Sequence, residues 1–305
     1  MKPVRKLIWT IAVLATLVIA IGVGFYERPV SYFNRLLYLQ MGLAGAESRN
    51  VTVAGHRMHY YVMGPNDGPP VVLVHGLGGQ AEDWRNLAPF LRSAGYRVYT
   101  PDLFGFGRSE KPADFSYSIP DEASAVVAFM DEMGLKQVDL GGLSMGGWVV
   151  QKIAADHPDR IRKLMLFDSA GLSEKPTWNT ALFTPASPAE LGQLWALLVP
   201  NPPPVPPFVA RDVLRISHSH AWVIRRALDS MLTGRDATDS MLPQFKMPVL
   251  IVWGKLDHIM PVEQGEKMHQ LVPQSQIDIE EGCGHLAPIQ CADRVGPKVR
   301  AFLKQ

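Results

Sequence analysis

Two cysteines, Cys283 and Cys291, are all that the 305 residues contain. That is too few for a disulfide scaffold or a cysteine-built zinc site. The two could pair and brace the segment between them, but buried free thiols are the plainer expectation. An excess of one charge is also missing: 30 Lys and Arg stand against 29 Asp and Glu, a formal net charge of +1. The electrostatic footprint of a nucleic-acid binder is therefore absent. No internal repeat is evident. With 47% hydrophobic and 19% charged residues, the chain has the balance of a globular domain long enough to bury a full core.

Uncharged apolar sequence runs from Leu7 to Tyr26, between Lys2, Arg5 and Lys6 on one side and Glu27 and Arg28 on the other. As a helix, this length spans a bilayer. A cleaved signal has a shorter apolar region and a small-residue site, which Gly22-Val23-Gly24 imitates poorly. Residues 1–28 are therefore expected to be an uncleaved anchor. The cations before it favour a cytoplasmic N-terminus, with the rest of the chain on the far side of the membrane, the periplasm if the source is bacterial. In residues 29–50, Val30, Phe33, Leu37 and Met41 fall near helical spacing, with Tyr32, Tyr38, Arg28 and Arg35 nearby. This predicts an amphipathic helix at the membrane interface, or one packed on the domain or on a second copy in a homodimer.

Beyond residue 50, β-branched runs alternate with helical patterns, the signature of an α/β protein with a mostly parallel sheet flanked by helices. Strands are expected at Val71–Val74, Arg97–Thr100, Val138–Leu140, Leu164–Phe167, Val249–Trp253 and Gln276–Ile279. Helices are expected at Asp83–Ser93, at about Pro120–Met133, from the turn at Gly147 to Asp156, and at Val262–Leu271, with another at the C-terminus. The alternation lapses between about Gly171 and Pro243, which reads as a helical insertion. Within it, Pro202 to Pro207 has five prolines in six residues, an extended connector. The core is thus expected at 51–170 and 244–305, and the insertion at 171–243.

Gly142-Leu143-Ser144-Met145-Gly146 fits the G-x-S-x-G nucleophile elbow, with a strand ending before it and a helix starting after it. Together with His75-Gly76-Leu77-Gly78-Gly79, the run Asp102-Leu103-Phe104-Gly105-Phe106-Gly107-Arg108-Ser109, and Gly284-His285, it resembles the α/β-hydrolase family in that family's own order. The resemblance covers about residues 50–170 and 245–305 and is weak across the insertion.

The resemblance implies a nucleophile, Ser144, a base, His285, and an orienting carboxylate, Asp257, in Gly254-Lys255-Leu256-Asp257. Asp168, at the end of the preceding strand, is the rival acid. Asp102 reads as a loop-fixing acceptor and His75 as structural. The other seven histidines, His56, His59, His157, His218, His220, His258 and His269, lack a comparable context. The oxyanion donors implied are the backbone N–H groups of Leu77 and Met145. No cofactor or metal is implied. A serine at the elbow argues against the aspartate-dependent dehalogenase and epoxide-hydrolase chemistries of the fold.

The insertion stands where the family has its cap. Its Leu182, Phe183, Leu191, Leu194, Trp195, Leu197, Leu198, Val199, Phe208, Trp222 and Leu232 could line an acyl pocket or simply form a core. The elbow, the acid loop and Asp168-Ser169-Ala170-Gly171-Leu172 look like those of membrane-bound monoacylglycerol lipases and bacterial membrane-anchored phospholipases A. The implied activity is hydrolysis of lipid esters at a membrane. The alternatives are a carbon–carbon bond hydrolase of aromatic ring-cleavage products, a general short-chain esterase, and, from another class, a non-enzymatic receptor. The last should lack a triad member, and none is lacking.

Overall fold

The structure, a computed structural model, describes residues 2–305. Helix α1 (Lys2–Glu27) is followed after Arg28 by α2 (Pro29–Leu43), which starts on proline, whose fixed φ and missing N–H suit a first helical turn. Over Arg5–Glu27 the mean hydropathy is 2.5, and none of the residues whose burial is described is fully buried. The segment is long and apolar enough to cross a membrane.

The buried line along α2 is Pro29, Leu37 and Met41. Phe33, Leu36, Leu39 and Leu43 are exposed. Phe33, four residues before Leu37 and on the same helical side, is thus left uncovered by the domain, while Leu36, Leu39 and Leu43 form a separate apolar stripe facing outward.

Strands β1 (Glu47–Val53) and β2 (His56–Met63) form a hairpin around Ala54-Gly55. Both turn residues have positive φ, as a type I′ turn requires. The chain then runs through β3 (Pro70–Val74), α3 (Ala88–Ser93), β4 (Arg97–Pro101), α4 (Ile119–Glu132), β5 (Val138–Leu143), α5 (Met145–Asp156) and β6 (Ile161–Phe167). Next come α6 (Pro188–Leu198) and α7 (Pro207–Met231), then β7 (Val249–Gly254), α8 (Val262–Leu271), β8 (Gln276–Glu280), α9 (Ala287–Gln290) and α10 (Ala292–Lys304).

The eight strands lie in the order β1-β2-β4-β3-β5-β6-β7-β8. β2 is antiparallel to both neighbours, and all later pairings are parallel. Val71, Val72, Leu73 and Val74 have no exposed surface, because helices cover both faces of a parallel sheet and leave no polar side. One face packs on α4 and α5, with Val126, Phe129, Trp148 and Val149 at its centre. The other packs Trp84, Leu91, Val299 and Phe302, together with Met41 from α2. Pro89 confines the expected helix Asp83–Ser93 to a 3-10 turn at Ala81–Arg85 followed by α3.

No strand lies between β6 and β7 among the described residues. Ser187 opens α6, its hydroxyl accepting from Glu190 N, and α7 begins only at the last proline of the Pro202–Pro207 run. The start of α7 is bound to the end of α1. Phe25 and Tyr26 pack on Phe208 with ring centroids 5.7 and 5.5 Å apart, and Arg211 donates to the Tyr26 carbonyl at 3.0 Å. The buried Asp212 carboxylate accepts from Val30 N at 3.1 Å and from Arg215 at 2.7 Å. The last turn of the apolar helix is thereby part of the domain's packing.

Candidate active site

β5 delivers Ser144 through a turn that only closely fitted neighbours can hold. Ser144 has φ 55 and ψ −120, a strained backbone for a residue with a side chain. It is fixed by Ser144 N donating to Phe167 O and by Ala170 N donating to Ser144 O, each at 3.0 Å. Gly76 passes so close that an added Cβ would lie 3.1 Å from the Ser144 Cβ. Glycine is required there for the loop after β3 to approach the elbow.

The ends of β7 and β8 bring the other two groups. His285 Nε2 lies 2.8 Å from Ser144 Oγ and His285 Nδ1 lies 2.8 Å from Asp257 Oδ2. The second Asp257 oxygen, Oδ1, accepts from Ile259 N and Met260 N, each at 2.8 Å. All three residues are largely buried. Burial pulls the His285 pKa down, but the Asp257 charge and its hydrogen bond to Nδ1 outweigh this and leave it above 6.5. Only the neutral imidazole can take the serine proton, so kcat/KM for a neutral ester should fall as pH drops through a value above 6.5. A pH profile with its acid inflection below 6 would contradict this geometry.

The Leu77 and Met145 N–H groups meet no protein acceptor among the described residues. Leu77 borders the same cavity as Ser144, and Met145 begins α5. Both donors are available to an oxyanion.

Asp168 is used differently. Its two oxygens accept from Gly254 N at 2.7 Å and Ala287 N at 2.8 Å, tying the acid loop to the residues just past His285. Burial and the nearby Asp257 charge raise its pKa. Asp102 accepts from Ala81 N at 2.6 Å and Arg108 N at 3.0 Å, and it meets His59 Nδ1 at 2.7 Å. His75 donates to Gly76 O at 2.8 Å and accepts from Leu103 N at 3.0 Å, so both of its nitrogens are engaged in loop structure. The partnership of His59 with Asp102 had no signal in the sequence. Ser48 Oγ completes that chain, 3.0 Å from His59 Nε2. It sits on an exposed edge strand and borders neither of the two cavities described below.

The cysteines do not remain free thiols. Gly282, at φ 76, turns the chain after β8, and the single turn of α9 returns it. Cys283 and Cys291 thus come within 6.4 Å Cα to Cα and are joined by a disulfide that brackets His285.

Ser144 opens into a cavity of about 600 Å³ bounded by Trp148, Leu172, Trp178, Phe183, Leu228 and Met231. Of the insertion residues singled out in the sequence, Phe183 and Leu232 line it. Leu191, Leu194 and Leu198 line a second cavity, whereas Phe208 packs against α1 and Trp222 against Tyr117. Trp178, held by its indole N–H on Ile259 O at 2.8 Å, was not anticipated. Among the described residues no cluster of His, Cys, Asp or Glu could hold a metal. A nucleophile, base and acid in line, with two free N–H donors, can carry out acyl transfer through a covalent intermediate.

The model of the alpha/beta hydrolase fold family matches residues 69–221 and 233–290. Lipase 1 of Psychrobacter immobilis is 27% identical over 290 residues, covering 90% of this chain and 89% of the lipase. A 2-hydroxymuconate semialdehyde hydrolase of Pseudomonas putida is 29% identical, covering 84% of this chain and 94% of its own. The crystal structure of a membrane phospholipase A, a bacterial virulence factor, superposes with a TM-score of 0.82 at 26% identity, covering 97% of both chains.

Proposed function

Because the chain belongs to the α/β-hydrolase fold family, we propose that it is a serine ester hydrolase acting on membrane lipid esters, of the monoacylglycerol lipase or (lyso)phospholipase A type. The observation that carries this is the hydrogen-bonded line Ser144–His285–Asp257, whose serine end opens into a cavity walled largely by aromatic and aliphatic residues. Ser144 Oγ attacks the acyl carbon as His285 Nε2 takes its proton, and the oxyanion meets the Leu77 and Met145 N–H groups. Collapse expels the alcohol, which carries away the proton from His285. Water, deprotonated by the same imidazole, then releases the fatty acid.

The likeness to a lipase and a membrane phospholipase supports a lipid substrate, as does α1, which we read as an anchor with a cytoplasmic N-terminus and the catalytic domain across the membrane. The exposed Phe33, Leu36, Leu39 and Leu43 of α2 continue that apolar surface into the interfacial lipid. The likeness to a 2-hydroxymuconate semialdehyde hydrolase favours carbon–carbon bond hydrolysis instead, and a bilayer tether gives such a soluble substrate no advantage.

The test is hydrolysis of p-nitrophenyl esters of graded chain length, then of monoacylglycerol and lysophospholipid, by the full chain and by a form lacking residues 1–22. That cut keeps Phe25 and Tyr26 on Phe208. Both forms should turn over short esters equally, whereas the truncated form should be at least about tenfold slower on vesicles, because tethering raises local substrate concentration. Equal rates on vesicles, with both forms monodisperse by gel filtration, would remove the case for a membrane substrate.

A further inference from the structure

Across the glycine-rich loop from the serine-bearing cavity lies a second, of about 450 Å³. The two share Leu77 and Phe183 and otherwise have different walls. If the Leu77 N–H receives the oxyanion, the ester carbonyl sits at this border, with one half of the ester in each cavity.

The walls differ in chemistry. On the serine side aromatic and aliphatic residues are joined by Ser173, Asn179, Thr180, Thr233 and Gln264; the carboxylate there, Glu174, is ion-paired with Lys267 at 2.9 Å, and the cation there, Lys175, is exposed. The second cavity adds Asn34, Gln80, Lys111, Ser217 and His220 to aliphatic residues of α6 and α7, and none of the described residues lining it is Asp or Glu. Lys111 is half-buried, and its ammonium makes one long hydrogen bond, to Gly107 O at 3.5 Å. Among the described residues it has no ion pair. Its neighbour in sequence, Glu110, accepts from Arg57 N at 3.0 Å and meets His56 Nδ1 at 3.3 Å, and Asp102 is already engaged by Ala81 N, Arg108 N and His59. His220 holds Ile216 O through Nδ1 at 3.0 Å, which leaves Nε2 for a ligand.

A partly desolvated cation with spare donors, in a cavity without acidic residues, is suited to an anion. The cavity also reaches Val30 and Asn34, in the first turns of α2, close to where the chain leaves the apolar helix.

We propose that the second cavity receives the alcohol half of the ester, and that Lys111 with His220 selects an alcohol bearing an anionic phosphodiester. A lysophospholipid is then preferred to a monoacylglycerol. This rests on the ester-hydrolase reading above. The acyl C–O bond breaks, the glycerophosphodiester leaves with the proton held by His285, and its phosphate remains opposite Lys111 until release.

The experiment compares 1-oleoyl lysophosphatidylglycerol with 1-monooleoylglycerol on the full-length protein in detergent. The wild type should favour the phospholipid in kcat/KM. Lys111→Met should lower that preference about tenfold, through KM, the size expected for loss of one charge-assisted contact, while Lys111→Arg should retain it. A second arm needs no variant: glycerophosphoglycerol should compete with p-nitrophenyl butyrate on the wild-type protein. An unchanged preference in Lys111→Met, or absence of competition, overturns the proposal while esterase activity stands. If the wild type hydrolyses none of the three esters, it is the ester-hydrolase reading that fails. If Lys111→Met does not fold, competition on the wild type decides alone.

Discussion

Replacing Ser144 by alanine is expected to lower ester hydrolysis by at least about four orders of magnitude and to abolish labelling by a fluorophosphonate. The fold should remain. Alanine at φ 55 is no more strained than serine, and the change removes one hydroxyl whose single side-chain partner is His285. Any residual rate would reflect the oxyanion donors and binding alone. Labelling that persisted in the variant would place the nucleophile elsewhere, and Ser48, beside His59, is the position at which peptide mapping should look first.

The second large effect is expected at Asp257. In Asp257→Asn, the Ile259 and Met260 N–H groups would hold the amide oxygen where Oδ1 now lies, turning the NH₂ group toward His285. Nδ1 must then accept rather than donate, so Nε2 carries the proton and cannot take one from Ser144. Turnover should fall about 10⁴-fold with little change in melting temperature. Asp168→Asn should behave in the opposite way. One amide oxygen cannot serve both Gly254 N and Ala287 N, so a buried donor loses its partner at a cost of about 1–3 kcal/mol of stability, while the imidazole tautomer is untouched. Rates and melting curves for the two variants check this, and a reversed order would transfer the orienting role to Asp168.

The parallel half of the sheet was legible because its strands are short buried runs ended by glycine, as at Val71–Val74 and Val249–Trp253. The β1–β2 hairpin was not. Glu47, Ser48, Arg49 and Asn50 lie on an edge strand and are exposed, so no apolar alternation marks them, and residues to 50 read as part of the preceding segment. That Ser144, Asp257 and His285 would lie together could be read because each stands at a strand end in a glycine-bearing loop. The cavity walls could not be read in the same way: Trp148, Trp178 and Met231 border the cavity of Ser144 from three separate segments of the chain, and no local pattern records which face of a helix will meet a distant loop. The cysteine bridge escaped notice because spacing alone does not reveal that one helical turn folds the chain back on itself.

That bridge also bears on where the enzyme can mature. A dithiol closes to a disulfide in secretory and periplasmic surroundings and is kept open by cytosolic reductants. Under the topology proposed above, protein delivered across the membrane would acquire the covalent clasp around His285, while a form lacking residues 1–22 made in the cytosol would emerge with that segment unclasped. Specific activity measured before and after oxidative refolding would then differ between preparations identical in sequence, and the oxidation state of Cys283 and Cys291 would report on which side of the membrane a given molecule was finished.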